Sequence, residues 1–251
     1  MKEVKVNKIE EDGEIYLEIY IMDKDVLYNY FTITNWDVLN IPNGIKKIKN
    51  GIFLVGEKEL IIKSHLENGL DKNHYLFFLD NIEERTFREI VIPDSVIEIE
   101  EGAFVCWKVN NFIVSDNNKK FVVENNLLCN KDKTVLLACS GIHEKYVSLL
   151  PTIKRIGKGA FSSLAPFNNL IVKLPDCIKE IGAYAFMGAA SVEEIYVPKS
   201  VKIIEENAFE ISFKTYPKIY VYKDSYAHKY MEDNNINYLL IEEWLLLIHV
   251  T

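Results

Sequence analysis

Apolar residues recur at fixed positions in two neighbouring segments of the chain, 172–186 and 195–209. Each segment begins with an apolar-x-apolar-Pro pattern, which is followed by aliphatic residues three and six positions after the proline and by Ala-Phe at positions ten and eleven. The alternation predicts a short strand with one buried face. Pro175 and Pro198 are 23 residues apart, and self-similarity at such a period is typical of a solenoid of stacked coils.

Further copies of this pattern occur upstream, at 39–53, 87–104 and 147–161. In the last of these, alignment on the closing Ala-Phe places Leu150 in the proline position. A shortened strand at 109–115 carries Ser115 at the same position. Phenylalanine at the end of each copy is expected to fill the interior of the coil, while the preceding alanine leaves room for the neighbouring coil.

The pattern changes at both ends of this array. Residues 4–33 alternate between aliphatic and polar or tyrosine side chains, most clearly in 15–21, which predicts three antiparallel strands. At the other end, 224–235 predicts a short helix that Ser225 caps and that the pair 234–235 ends. Both elements are expected to cover an open end of the stack, as terminal caps do in repeat proteins.

Short apolar runs separated by Asn-Asn and Asn-Lys-Asp-Lys at 116–138 are typical of an inserted β-hairpin. We therefore predict a repeat solenoid that is mainly β, a curved stack with short helical or irregular turns. Its parts are a β-strand cap at 1–35, the solenoid with its hairpin at 36–222, and a cap helix with an apolar tail at 223–251. The pattern predicts no definite structure for 54–80.

Composition limits the partners of such a solenoid. A formal net charge of −8 repels phosphate backbones, which disfavours nucleic acid. No run of about 20 apolar residues could span a bilayer, and 244–248 is too short to do so. Residues 1–6 lack the apolar core of a secretory signal, so the sequence as written predicts a cytoplasmic protein, or a secreted or surface protein if a signal peptide has been removed.

Residue types that carry chemistry are scattered. The four cysteines form no Cys-x-x-Cys pair, which favours buried thiols over a disulfide framework or a metal site. The five histidines share no ligand spacing, and His65 and His74 have no third ligand nearby. No phosphate-binding loop, serine-hydrolase or zinc-protease motif occurs. We predict no cofactor, no metal and no catalytic residue, with a cryptic hydrolase as the least favoured alternative.

The string apolar-x-x-Ile-x-Val/Leu-Pro-x-x-Val-x-x-Ile-Gly-x-x-Ala-Phe resembles the BspA-type leucine-rich repeat family over 87–238 and, in degenerate form, over 36–53. The hairpin at 116–138 resembles an insert of this family, and 224–230 resembles its Gly-Ser-x-Ala-x-x-Tyr cap. In the insert, tyrosine, glycine and tyrosine of the family are replaced by Phe121, Asn126 and Cys129. The resemblance implies a curved bacterial solenoid that binds proteins or surfaces, is often secreted or surface-displayed, and has no catalytic residues.

Stacking of coils places the outward residues of successive strands in one row. The row, expected on the concave face, contains Asn40, Val91, Ser148, Lys173, Tyr196 and Tyr220, flanked by Glu194 and Lys218. Tyrosine combines a large rigid contact area with a polar tip, so we expect another protein to bind here. The alternatives are that Tyr196 and Tyr220 merely favour β structure on a solvated sheet, or that the chain is a surface adhesin for host or matrix proteins or glycans.

Two glycines follow the second aliphatic position of their coils, Gly157 and Gly182. Glu100 and Glu205 occupy this position in other copies, so glycine is favoured there and not required. We expect the glycines to permit a tight or left-handed bend. The oligomeric state and the identity of the partner do not follow from the pattern.

Overall fold

The chain is wound into a mainly β solenoid in the computed structural model, which describes residues 3–11, 14–32, 38–49, 86–105, 108–141, 144–162, 169–187, 189, 192–209 and 217–241. Within these residues a coil consists of a longer strand, a turn, a two-residue strand and a second turn. This arrangement confirms the predicted fold class. The segments 54–80 and 244–248, together with His65 and His74, lie outside the described residues.

The described elements follow one another in a regular order along the chain. They are β1 (Glu3–Glu11), β2 (Glu14–Asp23), β3 (Val26–Thr32), β4 (Val38–Asn40), β5 (Lys47–Ile48), β6 (Thr86–Ile92), β7 (Glu98–Ile99), β8 (Lys108–Val114), β9 (Phe121–Glu124), β10 (Leu127–Asn130), β11 (Val135–Cys139), β12 (Tyr146–Val147), β13 (Arg155–Ile156), β14 (Leu170–Lys173), β15 (Glu180–Ile181), β16 (Val192–Val197), β17 (Ile203–Ile204), β18 (Lys218–Tyr222), α1 (Tyr226–Asp233) and β19 (Leu239–Ile241).

The longer strands of successive coils pair in parallel and form two sheets. One contains β4, β6 and β8, and the other contains β12, β14, β16, β18 and β19 in that order. The two-residue strands pair in the same way, β5 with β7, β13 with β15, and β15 with β17. Because each strand pairs in register with the equivalent strand of the next coil, equivalent residues such as Lys173, Tyr196 and Tyr220 form rows across a sheet.

A hydrogen-bonded turn follows the longer strands and begins at the proline position of the sequence pattern. The N–H of Ile178, three residues after this position, donates to the carbonyl of Pro175 at 3.0 Å. The same bond joins Ile153 to Leu150 at 3.1 Å, and the carbonyl of Ser115 accepts an equivalent bond at 2.9 Å. The turn requires only a backbone carbonyl at its first residue, so Leu150 and Ser115 take the proline position, as predicted.

Phenylalanines stack in the interior where the coils end. The rings of Phe161 and Phe186 lie 4.7 Å apart between centroids with planes 6° apart, and Phe186 and Phe209 lie 5.3 Å apart with planes 7° apart. All three are buried, as are the alanines before them. The small alanine side chain lets the next coil approach, so the N–H of Phe186 donates to the carbonyl of Ala208 at 3.0 Å. These contacts confirm the predicted role of the Ala-Phe pair.

The two glycines of the repeat allow the backbone of an adjacent coil to lie close to them. Neither Gly157 nor Gly182 has a positive φ, so of the tight or left-handed bend predicted there the left-handed alternative is wrong. A Cβ at Gly157 would lie 2.6 Å from the carbonyl oxygen of Leu136, and one at Gly182 would lie 2.8 Å from the backbone nitrogen of Lys158. The left-handed residues stand two positions before phenylalanine in their coils, and they are Gly102, Gly159, Tyr184 and Asn207.

The N-terminal strands and the inserted strands occupy equivalent places in two parts of the solenoid. β1, β2 and β3 are antiparallel, and β3 then pairs in parallel with β5. β9, β10 and β11 are also antiparallel, and β11 pairs in parallel with β13. Lys24 and Lys133 both have a φ of 55° at the turns before β3 and β11. Asp25 and Thr134 each accept two backbone hydrogen bonds from the following coil, so the insert is a second cap that begins a second run of coils.

Two hydrophobic cores meet the inserted strands from opposite sides. Phe121 and Leu128 pack into the N-terminal core, whereas Leu127, Cys129 and Leu136 pack into the C-terminal core. All five side chains are buried. Successive residues of a strand point to opposite faces, so the single strand β10 closes both cores at once.

Helix α1 covers the last coil. The Ser225 Oγ accepts a hydrogen bond from the N–H of His228 at 3.1 Å, and Asn234 is the C-cap, as the sequence predicted. The Tyr230 hydroxyl donates to the carbonyl oxygen of Glu205 at 3.0 Å, which ties the helix to the coil beneath it. The helix thereby gives the final coil a covered end.

Candidate functional site

Outward side chains of the second sheet of longer strands form a row, which we call the C-terminal row. Register pairs Lys173 with Tyr196, Tyr196 with Tyr220, and Tyr220 with Leu239. Ser148 follows β12 directly and is exposed. These five residues constitute the row. The strand residues beside Lys173, Tyr196 and Tyr220 point inward and are buried, whereas Leu240, beside Leu239, is exposed as well.

The side chains of the C-terminal row stack on one another. The rings of Tyr196 and Tyr220 are parallel to within 5°, with centroids 4.4 Å apart. On the other side of Tyr196, the Nζ of Lys173 lies 5.3 Å from the ring centroid, and it lies 5.7 Å from the ring centroid of Tyr146. A lysine over an exposed aromatic ring is stabilised by about 0.5–1 kcal/mol. The stack therefore holds these side chains in a defined arrangement.

A second row, the flanking row, runs beside the first and contains Tyr146, Glu194 and Lys218, with the buried Ile171 in register between Tyr146 and Glu194. The Tyr196 hydroxyl donates to Oε2 of Glu194 at 2.8 Å, and the Nζ of Lys218 lies 3.9 Å from Oε1. Burial and then the hydrogen bond to Glu194 raise the pKa of Tyr196 above its ordinary value. The phenol therefore stays protonated at physiological pH and remains a hydrogen-bond donor.

Six of the eight predicted binding residues lie together in these two rows, and two lie elsewhere. Asn40 and Val91 belong to the other sheet of longer strands, where Val91 pairs with Asn40 on one side and Ile113 on the other. Over the described residues no strand pairing joins β8 to β12. The predicted single row is thus divided between two sheets, with the inserted strands between them in the chain.

Four exposed apolar side chains of these two sheets were not predicted. Tyr146 is 51% exposed, Leu239 is 47% exposed, Leu240 is 43% exposed and Ile113 is 38% exposed. Ile113 lies on the strand that has serine in place of proline, and Leu239 lies beyond the cap helix. Only the apolar run 238–241 marks β19 in the sequence, and it does not follow the repeat pattern.

The largest charged cluster described lies on the two-residue strands. The guanidinium of Arg155 donates to Glu101 at 3.0 and 3.1 Å, to Glu180 at 2.8 Å and to Glu205 at 2.8 Å. These hydrogen bonds, that of Glu101 first, raise the pKa of Arg155 above its ordinary value. Every charge of the cluster has a partner within the chain, so it acts as a structural clamp between coils.

Two of the described cysteines are thiols in the core, and the described acidic residues form no metal-binding group. Cys129 and Cys139 are buried free thiols, as predicted, whereas Cys177 is a free thiol that is only half-buried, and Cys106 lies outside the described residues. Burial raises the pKa of Cys129 to about 12 and holds that of Cys139 well above its ordinary value, so neither is a thiolate at neutral pH. Within the described ranges no group of three His, Cys, Asp or Glu residues is placed to hold a metal ion. None of the helices described there is long and apolar enough to cross a membrane.

A family described as BspA type leucine rich repeat region matches the sequence in six copies, over 24–134 and 138–241. The chain belongs to the BspA-type leucine-rich repeat family. The matched BspA-type regions include β3, most of the inserted strands, both rows and the cap helix. The expected family is therefore confirmed, and its repeats extend further toward the N-terminus than the sequence pattern indicated.

Three solved structures are similar to this BspA-type chain. A leucine-rich repeat protein from Eubacterium ventriosum is 19% identical, covers 62% of this chain and 49% of its own, and gives a TM-score of 0.40. The pneumococcal vaccine antigen PcpA is 13% identical, with 62% and 57% covered and a TM-score of 0.35. A leucine-rich cell surface protein from Faecalibacterium prausnitzii is 18% identical, with 81% and 59% covered and a TM-score of 0.48. The chain thus spans about half to three fifths of their lengths. No curated protein sequence matches the chain.

Proposed function

We propose that this chain is a non-catalytic protein-binding module whose partner binds the C-terminal row and the flanking row. The observation that carries the proposal is the outward stack of Tyr146, Lys173, Tyr196 and Tyr220. Aromatic side chains supply a large rigid contact area at a small entropic cost and are frequent among the residues that dominate binding energy. The paired strands beneath them hold the surface in its binding arrangement before a partner arrives.

The contacts within the stack support binding over a merely β-forming role for the tyrosines. Tyr196 is fixed by a ring on one side, an ammonium group on the other and a carboxylate at its hydroxyl. Tyr146 and Leu239 leave apolar surface exposed at the two ends of the stack. An ordered stack with apolar surface at both ends has the composition of an interface core, in which aromatic and aliphatic residues surround few charges.

The orientation of the rings favours a protein over a ligand that stacks flat. Both faces of the Tyr196 ring are covered, one by Tyr220 and the other by Lys173. Ligands such as nucleobases stack on an open aromatic face, and this ring offers none. Its edge remains available, and the hydroxyl oxygen, whose hydrogen is donated to Glu194, can still accept a hydrogen bond; these suit the apolar side chains and backbone N–H groups of another protein.

The one carboxylate of the two rows supports the non-catalytic assignment. Glu194 is held by the Tyr196 hydroxyl and by the nearby ammonium of Lys218. A general acid or base must exchange a proton with its substrate, and the oxygens of Glu194 already face donors of the chain itself. Glu194 therefore orients the Tyr196 side chain.

The proposal is tested by replacing both stacked tyrosines. A partner captured from lysate is measured by surface plasmon resonance against the intact chain, the Tyr196→Ala/Tyr220→Ala variant and a Tyr226→Ala control, whose exposed side chain lies on α1. We expect the double variant to bind at least about tenfold more weakly and the control to bind normally. Unchanged affinity of a correctly folded double variant would show that partners bind another surface.

A further inference from the structure

Among the described residues Lys173 has no carboxylate partner, and the other residues of its row are uncharged. Over the described residues, its Nζ contacts the rings of Tyr146 and Tyr196 and forms no ion pair. The nearby charges of the flanking row offset one another, because Lys218 faces Glu194. Glu193, at the bulge where β16 begins, is exposed and lies outside both rows. The C-terminal row therefore has one uncompensated positive charge on a chain whose net charge is −8.

The C-terminal row carries different chemistry on β14 and on β19. Lys173 on β14 has an ammonium group that two rings hold in place, whereas Leu239 on β19 is an exposed aliphatic side chain. Tyr196 and Tyr220 lie between them. An ammonium group already fixed and partly shielded from water binds a carboxylate with little loss of side-chain freedom. The row thus favours an anionic group at Lys173 and an apolar group at Leu239.

The spacing of strands defines the distance between these two groups. Lys173 and Leu239 are separated by three strand-to-strand steps, which amount to about 14 Å because paired strands lie about 4.8 Å apart. An extended peptide advances about 3.3 Å per residue, so it covers this distance in about four residues. Side chains four residues apart on an extended chain point to the same face. One segment can therefore direct both groups at the row.

We propose that the partner segment is an extended acidic peptide that lies along the C-terminal row, with an Asp or Glu side chain at Lys173 and an aliphatic or aromatic side chain about four residues away at Leu239. This inference rests on the proposed function and names the chemistry of the partner. The carboxylate replaces water at the ammonium group of Lys173. The apolar side chain covers Leu239, and the phenols of Tyr196 and Tyr220 contact the residues between.

Selection of random displayed peptides on the immobilised chain tests the inference. We expect the enriched peptides to pair an acidic residue with an apolar residue at this spacing. Their affinity should fall by at least about tenfold in Lys173→Glu and should weaken as salt is raised. The matched control is Lys202→Glu, an exposed lysine beside the two-residue strand β17. Replacing the acidic residue of a selected peptide with lysine should restore binding to Lys173→Glu.

The outcomes separate the two proposals. In one outcome, the selected peptides bind only when Tyr196 and Tyr220 are present, yet lack acidic residues and bind Lys173→Glu with unchanged affinity. This result would overturn the acidic assignment and leave protein binding by the row intact. Peptides whose affinity is unchanged in both the tyrosine and the lysine variants would overturn both proposals. A sulfated polysaccharide is tested in the same way. If it binds tightly, displaces the selected peptides and fails to bind Lys173→Glu, the partner of Lys173 is a polyanion and the peptide assignment is overturned.

Discussion

Glu101 holds the guanidinium of Arg155 at two points, with Oε1 3.0 Å from Nε and Oε2 3.1 Å from Nη2. Glu101 follows β7 in the N-terminal run of coils, and Arg155 begins β13 in the C-terminal run. The pair therefore joins two parts of the solenoid that the inserted strands separate in the chain. Paired hydrogen bonds between arginine and a carboxylate are among the stronger polar contacts in proteins.

Replacement of Arg155 should weaken the fold measurably. Arg155→Met leaves three carboxylates close together without their common cation, and we expect a loss of about 1–3 kcal/mol in the free energy of unfolding. Chemical denaturation measures this loss. Lys202→Met, an exposed lysine beside β17, should change the value by less than about 0.5 kcal/mol. Equal midpoints for the Arg155 variant and the intact chain would contradict a clamp.

The same cluster predicts a pH dependence. The hydrogen bond from Arg155 lowers the pKa of Glu205 below its usual 4.5, so the Glu205 carboxylate takes up a proton less readily in the folded state than in the unfolded state. Glu205 contributes its full stabilisation when the pH is above its pKa in the unfolded state. This stabilisation is lost as the pH falls through its lower pKa in the folded state. Denaturation curves from neutral to acidic pH should show a shallower decline in Glu205→Gln. Identical pH profiles would exclude this contribution.

Phe186 is expected to be the most sensitive of the stacked phenylalanines, because rings pack on both of its faces. Phe186→Ala should lower the free energy of unfolding by about 3–5 kcal/mol, and we expect the loss for Phe209→Ala to lie in the lower part of this range. Phe186→Leu should recover part of the loss because it refills most of the cavity. Lys179→Ala provides the control, since Lys179 is exposed in the same coil. Unchanged denaturation midpoints for both alanine variants would refute the register of the repeat.

Asn118 fastens the inserted strands to the coil before them. Its buried Nδ2 donates to the carbonyls of Pro93 at 2.8 Å and Val96 at 3.0 Å, and its Oδ1 accepts from the N–H groups of Lys120 at 2.8 Å and Phe121 at 2.9 Å. Asn118→Ala leaves buried backbone groups without partners, so we expect a loss of about 2–4 kcal/mol in the free energy of unfolding.

The neighbouring Asn117 offers a matched control for this substitution, because the same residue type is exposed there. Asn117→Ala should be nearly neutral in the same denaturation experiment. A loss of similar size in both variants would attribute the effect to the asparagine pair of the turn and not to the hydrogen bonds of Asn118.

The coil could be predicted from the sequence because its structure repeats a local rule. An inward aliphatic residue, a turn three residues long and a closing phenylalanine recur at fixed spacing, and this spacing was sufficient to place Leu150 and Ser115 in the turn. Ser225 as a helix cap was equally predictable, since N-capping depends on a residue type and its immediate neighbours.

Contacts between distant residues could not be predicted in this way. Glu101 and Arg155 are 54 residues apart, and outward charges follow no period that would pair them. Gly157 and Gly182 have a sequence position typical of a bend, yet the reason for glycine is the backbone of an adjacent coil. Leu239 joins the C-terminal row after a helix that interrupts the pattern, so its place in the row depends on how the chain returns to the sheet.

The shared strand β10 makes the chain sensitive to changes of length at one place. Leu127 and Leu128 face different cores, so an extra residue inserted after Asn126 would exchange their directions. The N-terminal and C-terminal cores would lose their closing side chains in the same event. Addition or removal of an entire coil preserves every inward position, whereas a single-residue insertion in β10 damages two cores. Length variation among natural homologues should therefore spare this strand and occur in steps of a coil.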